Sequence, residues 1–124
     1  MNTKIIILGS QGFIGTNLIN HLSQLKYLVL SIGKKNNFFK NKKIKHIKAD
    51  IYKSKKFYKF IDSSSIIIFL SASKFNFNDI EKFKKLVNIF KNKKIKKLLF
   101  LSSASVYGNN NNIKSELVLK KPVN

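Results

Sequence analysis

The chain has 124 residues, a length typical of one domain with its own hydrophobic core. Its 44% hydrophobic and 24% charged residues exclude a wholly disordered chain. Because it has no cysteine, a disulfide scaffold, a cysteine zinc site, an iron–sulfur cluster and thiol catalysis are excluded as well. No apolar run approaches the roughly 18 residues that cross a bilayer. We therefore expect a cytoplasmic protein with no membrane partner.

The net charge of +20 is the strongest bias in the composition. On its own it favours a nucleic-acid partner. However, every basic residue is lysine, whereas arginine is preferred for bidentate contacts with phosphates and bases. The abundant lysine, isoleucine, asparagine and phenylalanine share A/T-rich codons, so we interpret the charge mainly as a coding bias. We expect no specific nucleic-acid partner, although a basic nucleic-acid-binding protein remains an alternative.

The first predicted elements are a buried strand, a glycine-rich turn and an amphipathic helix. Ile5–Leu8 is a short apolar run, typical of a strand that is buried on both faces. The following residues, 9–15, contain three glycines. The helix is predicted from apolar residues at helical spacing, namely Ile14, Leu18, Leu22 and Leu25.

Further strands and helices alternate along the rest of the chain. Strands are predicted at 27–32, 44–49, 65–71 and 97–101, with a lysine-rich loop at 34–43. A short helix is predicted at 52–61, and a longer one capped by Asn78, with Ile80, Phe83, Val87 and Phe90 on its apolar face. Alternation of this kind predicts an α/β fold, a Rossmann-type doubly wound parallel sheet of about five strands.

The three glycines have the residue types and the context of a dinucleotide-binding turn. Gly9 would allow a tight turn after the strand, and Gly12 would let the backbone approach a pyrophosphate. Gly15 would allow close packing of the helix on the sheet. The pyrophosphate would lie at the helix N-terminus, where free N–H groups and the helix dipole favour anions.

Several segments together resemble the extended short-chain dehydrogenase/reductase family, the NAD-dependent epimerase/dehydratase group. The segments are Ile5–Gly15, Ala49-Asp50-Ile51, Phe69–Ser73 and, most specifically, Leu99–Gly108 with its Ser-Ser-Ala-Ser-Val-Tyr-Gly. The resemblance covers only the N-terminal part of a typical member. It implies a nucleotide-sugar substrate, a possible homodimer and a truncated sheet, with residues 1–108 as the NAD(P)-binding domain and 109–124 as an irregular tail.

The resemblance also implies roles for individual residues. Gly9, Gly12 and Gly15, with the backbone of Phe13 and Ile14, would hold the pyrophosphate. Contacts with the adenine would come from Asp50 and Ile51, and the ribose and nicotinamide side would be lined by Leu70, Ser71 and Ala72. Ser103 would be the catalytic hydroxyl, hydrogen-bonded to the substrate oxygen. No metal site is expected.

The family's catalytic base is the tyrosine of a Tyr-x-x-x-Lys pair, in which three residues separate the tyrosine from the lysine, and no tyrosine follows Tyr107 here. We therefore expect either part of an epimerase/dehydratase-type oxidoreductase or a catalytically inactive dinucleotide-binding module, a truncated remnant. The coenzyme is also open. The ribose-binding acid of NAD-preferring members aligns with Gly33, and Lys34 and Lys35 follow it. This leans slightly towards NADP, because cations near the ribose suit a 2′-phosphate.

Overall fold

A computed structural model describes residues 3–25, 27–71 and 77–101, in which five strands form one sheet. The strands are β1 (Lys4–Leu8), β2 (Leu28–Gly33), β3 (Ile44–Lys48), β4 (Ser65–Phe69) and β5 (Lys97–Phe100). They are joined by helix α1 (Phe13–Gln24), a 3₁₀ turn (Tyr58–Phe60) and helix α2 (Phe77–Asn92). Neither α-helix in this part of the chain is long and apolar enough to cross a membrane.

All strand pairs are parallel, and the spatial order is β3-β2-β1-β4-β5. The predicted Rossmann-type sheet is therefore confirmed. Strand β1 is central because Ile5–Leu8 can be buried on both faces: Ile6, Ile7 and Leu8 are fully buried. From β1 the chain adds strands first on one side, β2 and β3, and then on the other, β4 and β5. α/β sheets of this kind bind ligands at the carboxyl ends of the strands, at the point where the strand order reverses.

Two hydrophobic clusters cover the two faces of the sheet. On one face, Ile5 and Ile7 pack with Ile19 of α1 and with Phe39 of the segment between β2 and β3. The opposite face is covered by α2 and by the segment between β3 and β4, through buried residues that include Phe57, Ile61, Leu86 and Phe90. The doubly wound arrangement follows from this division of the connections.

Helix α1 packs on the sheet through the middle of its predicted apolar face, Leu18 and Leu22, but not through the two ends of that face. Ile14 and Leu25 are 50% and 41% exposed, whereas the buried residues of the helix are Gly15, Ile19 and Ser23. Two of these three are small. The reason is the close approach of Gly15 to the backbone of Ser10, which sets the rotation of the helix about its axis.

Two other elements also differ from the prediction. Residues 52–61 form turns and the 3₁₀ turn rather than an α-helix. The N–H groups of Tyr58, Phe60 and Ile61 donate to carbonyls three residues back, which is the 3₁₀ pattern. Helix α2 begins at Phe77, so Asn78 lies inside it rather than at its N-cap. Within residues 79–92 of this helix, Leu86 and Phe90 are buried, while Ile80 is 42% exposed.

Candidate functional site

The glycine loop leaves the carboxyl end of β1 in a conformation that requires glycine at its first position. Gly9 has a φ of +82°. A Cβ at this position would stand 2.6 Å from the backbone nitrogen of Ser71 and 2.7 Å from its Cα. The loop is also tied to β2, since the N–H groups of Gly9 and Ser10 both donate to the carbonyl of Ile32, at 3.1 and 3.2 Å. Gly9 thus lets the chain turn between the ends of β2 and β4, the two strands that flank β1.

The other two glycines of the loop differ in the space that each leaves for a side chain. A Cβ on Gly15 would stand 2.6 Å from the carbonyl oxygen of Ser10 and 2.7 Å from its carbonyl carbon. A Cβ on Gly12 would meet only the carbonyl oxygen of Gly9, at 3.9 Å, which is an ordinary contact. Gly12 also has φ −80°, which any residue can adopt. Packing among the described residues therefore explains Gly9 and Gly15, but not Gly12.

The N-terminus of α1 opens beside Gly12. The first intrahelical hydrogen bond runs from Thr16 N–H to the Gly12 carbonyl, at 2.9 Å. The N–H groups of Phe13, Ile14 and Gly15 therefore precede any acceptor in the helix. Gly12, at the N-cap, offers them no side-chain hydrogen bond, and the first turn carries no acidic residue. An anion is the complement of this positive helix end.

A cavity of about 440 Å³ lies at the carboxyl edge of the sheet, next to this helix end. It is bounded by residues that follow β1, β2, β3 and β4. Its lining residues are Gly9, Gln11, Gly12, Gly33, Lys34, Lys35, Ala49, Ile51, Leu70 and Ser71. The lining combines apolar side chains and exposed backbone with two lysines, which suits a flat apolar ring system that carries negative groups.

Asp50 and Lys34 form an ion pair beside this cavity, with Nζ and Oδ2 3.2 Å apart. The Asp50 carboxylate also accepts a hydrogen bond from Tyr52 N–H at 2.9 Å. Burial raises the pKa of Asp50, but the hydrogen bond from Tyr52 and the hydrogen bond and charge of Lys34 outweigh it, and the net pKa is lowered. Asp50 is therefore held as a carboxylate that orients Lys34.

The side chain of Gln11 connects the glycine loop to the segment after β2. Its Oε1 accepts from Lys35 N–H at 2.8 Å. Its Nε2 donates to the carbonyls of Lys35 and Asn36, at 3.2 and 2.8 Å. In this position the Gln11 amide covers Gly33, where β2 ends.

A chain of hydrogen bonds that starts at the buried Ser10 and Ser31 supports the loop from beneath. Ser10 Oγ lies 2.7 Å from Ser31 Oγ and donates to the Ile32 carbonyl at 3.0 Å. Ser31 Oγ lies 2.8 Å from His46 Nδ1, and His46 Nε2 lies 3.0 Å from the Lys35 carbonyl. Since a carbonyl can only accept, the ring carries a proton on Nε2. His46 thus has a structural partner on each nitrogen.

Eight of the residues singled out from the sequence line the cavity together: Gly9, Gly12, Gly33, Lys34, Lys35, Ile51, Leu70 and Ser71. Phe13, Ile14, Gly15 and Asp50 adjoin it without lining it, Gly15 by packing on Ser10 and Asp50 by pairing with Lys34. Ala72 and Ser103 lie outside the described residues. Sequence reasoning missed Gln11 and Ala49 as lining residues. Only the position of Gln11 inside the glycine loop could have drawn attention to it.

Solved structures with the same fold are numerous. The chain superposes on UDP-glucuronic acid 4-epimerase from Bacillus cereus, solved in complex with NAD, with a TM-score of 0.79, 23% identity, and coverage of 98% of this chain and 47% of that one. For the UDP-Glc/GlcNAc 4-epimerase from Campylobacter jejuni the values are 0.79, 17%, 98% and 44%. For a short-chain dehydrogenase/reductase superfamily protein from Agrobacterium tumefaciens with bound NAD they are 0.76, 16%, 98% and 40%. The chain thus spans less than half the length of each of these proteins.

No curated protein matches the chain significantly in sequence. The sequence signature of the NAD dependent epimerase/dehydratase family, in contrast, matches residues 5–124, nearly the whole chain. This range includes the glycine loop, the residues at the ends of β3 and β4, and the Ser-Ser-Ala-Ser-Val-Tyr-Gly segment that follows β5. The chain therefore belongs to the NAD dependent epimerase/dehydratase family.

Proposed function

We propose that this chain binds a nicotinamide dinucleotide at the carboxyl edge of its sheet, as the coenzyme-binding part of an oxidoreductase that acts on a nucleotide sugar. The observation that carries the proposal is Gly12. Its missing side chain is required by nothing among the described residues, since the nearest atom to a Cβ there is 3.9 Å away. A ligand that passes close to the backbone explains why no side chain stands at this point.

The pyrophosphate of such a ligand fits the open N-terminus of α1. The N–H groups of Phe13 and Ile14 point out of the helix start, and the exposed positions of these residues leave their backbone accessible. Two linked phosphates are a natural partner for free N–H groups at the positive end of a helix. When bound, the nicotinamide would supply reversible hydride transfer, and the chain's own residues would position it.

The adenosine end of the ligand fits the part of the cavity formed after β2 and β3. Ala49 and Ile51 provide apolar surface there, and Lys34 and Lys35 provide positive charge. Because Gly33 carries no acid to accept from the ribose hydroxyls, we propose that the chain accepts NADP at least as well as NAD. NAD is found in the related structures from Bacillus cereus and Agrobacterium tumefaciens.

A nucleotide sugar is the proposed substrate class, because the related epimerases from Bacillus cereus and Campylobacter jejuni act on UDP-linked sugars. With a nucleotide sugar as substrate, Ser103 would hydrogen-bond the reacting sugar oxygen.

Calorimetric titration of the chain with NADH and NADPH tests the proposal, with ATP and a short single-stranded RNA as controls. The titrations are run at about 0.3 M salt, where the Debye length is well under 10 Å and non-specific attraction to a highly charged surface is weak. We expect saturable binding of at least one coenzyme that is tighter than binding of ATP. RNA binding that persists in salt, with no coenzyme binding, would contradict the proposal and favour a nucleic-acid-binding protein.

A further inference from the structure

We propose that Gln11 and Gly33 form a matched pair that sets the coenzyme preference of the site. The Gln11 side chain occupies the space in which a residue at position 33 would place its side chain. An acid at the end of β2 would have to displace this side chain and break its hydrogen bonds to the backbone of Lys35 and Asn36. This inference rests on the proposed function, since it concerns the choice between two coenzymes.

The absence of a side chain at Gly33 has a specific cause in the structure. Among the described glycines only Gly9 has a positive φ, so the backbone at Gly33 does not require glycine. A Cβ on Gly33 would instead collide with Oε1 of Gln11 and stand 2.8 Å from Cδ and 3.0 Å from Cγ of the same side chain. A larger residue at position 33 would therefore have to displace the Gln11 side chain.

The Gln11 amide cannot move away without losing all of its hydrogen bonds. Both N–H groups of Nε2 have carbonyl acceptors, on Lys35 and Asn36, and Oε1 accepts from Lys35 N–H. The amide therefore has no proton left for a ligand, and Gln11 acts as a positioning residue rather than as a coenzyme ligand. Because two of these bonds hold Lys35 and the third holds Asn36, the segment after β2 is fixed relative to the glycine loop.

The chemistry at the end of the second strand separates the two coenzymes. A carboxylate there accepts hydrogen bonds from the ribose of NAD and repels the 2′-phosphate of NADP. With Gln11 over Gly33, this chain has no carboxylate at that position. Lys34 and Lys35 follow immediately, both exposed and both lining the cavity, with Lys34 paired to Asp50. A lysine within reach of the 2′-phosphate would favour NADPH, by about tenfold or more for one charge-assisted hydrogen bond.

The test is a double-mutant cycle with Gly33→Asp, Gln11→Ala and the combined variant. For each protein, the thermal midpoint and the dissociation constants for NADH and NADPH are measured. We expect Gly33→Asp alone to lower the thermal midpoint, because the new side chain meets Gln11. In the combined variant the space is free, so the midpoint should recover, and the affinity ratio should shift about tenfold or more from NADPH towards NADH. Gln11→Ala alone should weaken NADPH binding more than NADH binding.

Two further variants keep the result interpretable. Gly33→Ala introduces the same Cβ without a charge, so the cycle can still be measured if the aspartate variant does not fold. Asn36→Asp adds the same charge on the same segment, at a residue that Gln11 contacts through its backbone carbonyl, and should change the coenzyme ratio less than the combined variant.

If the wild-type chain binds a coenzyme but substitution at Gly33 costs the same stability with and without Gln11, this inference alone is overturned. A combined variant with an unchanged coenzyme ratio would also overturn it. If the wild-type chain binds neither coenzyme, the proposed function falls, and the coenzyme preference falls with it.

Discussion

Substituting each loop glycine by alanine distinguishes the glycines that the fold requires from the one that a bound ligand would require. At Gly12 an added Cβ has its nearest neighbour, the Gly9 carbonyl oxygen, at 3.9 Å, and φ is −80°. Alanine is a poorer N-cap than glycine but restricts the unfolded chain more, and these two effects, each about 0.5–1 kcal/mol, largely cancel. We therefore expect Gly12→Ala to change the free energy of unfolding by less than about 1 kcal/mol.

Gly9→Ala and Gly15→Ala are the matched controls, because their Cβ atoms would meet backbone that cannot easily move. At Gly15 the added atom would stand 2.6 Å from the carbonyl oxygen of Ser10, and overpacking of this kind costs about 1–3 kcal/mol. At Gly9 a similar collision with Ser71 is joined by the positive φ, which adds roughly 1–2 kcal/mol for a residue with a Cβ. Both variants should unfold at clearly lower urea concentration than wild type.

Once the affinity of each variant is corrected for its unfolded fraction, Gly12→Ala should weaken coenzyme binding most, although it destabilises the fold least. Gly12→Ala places a methyl group where the pyrophosphate approaches the backbone, so its affinity for NADH or NADPH should fall by tenfold or more, about 1.4 kcal/mol. Urea denaturation followed by circular dichroism gives the stabilities, and nicotinamide fluorescence gives the affinities. A stable Gly12→Ala protein that binds coenzyme as well as wild type would refute the assignment of this loop to phosphates.

Three further substitutions test the scaffold, each by urea denaturation. The hydrogen bond from Lys4 at 2.6 Å holds the pKa of Asp62 below its usual 3.8, so the stability from this pair is present above about pH 4 and is lost as the pH falls. The urea midpoint of the wild type should therefore drop more steeply from pH 5 to 3 than that of Asp62→Asn, and parallel curves would contradict this. Ser31→Ala leaves His46 Nδ1 without its hydroxyl partner and should cost about 1–3 kcal/mol. An unchanged urea midpoint would show that this hydrogen bond contributes nothing to stability. Phe57→Ala empties a fully buried site and should cost about 3–5 kcal/mol; a smaller loss would mean that the turn above it collapses to fill the space.

Local patterns in the sequence were sufficient for the architecture. The run Ile5–Leu8 predicted a strand buried on both faces, and it is the central strand of the sheet. The glycine spacing and its place between a strand and a helix predicted the loop at the end of β1. These predictions hold because they depend on the period of apolar residues and on backbone sterics, which neighbouring residues determine among themselves.

The rotation of α1, the pairing of Lys34 with Asp50 and the position of Gln11 over Gly33 depended on the tertiary structure. Gly15 packs on Ser10, so the helix turns Ile14 towards solvent although its spacing marks it as apolar core. The other two contacts join residues 16 and 22 positions apart, at the ends of strands that the sheet brings side by side. By itself the sequence determined which elements form and where the glycine loop lies. Only the folded sheet decided which side chains meet there, because the partners are chosen by the approach of distant segments and not by local spacing.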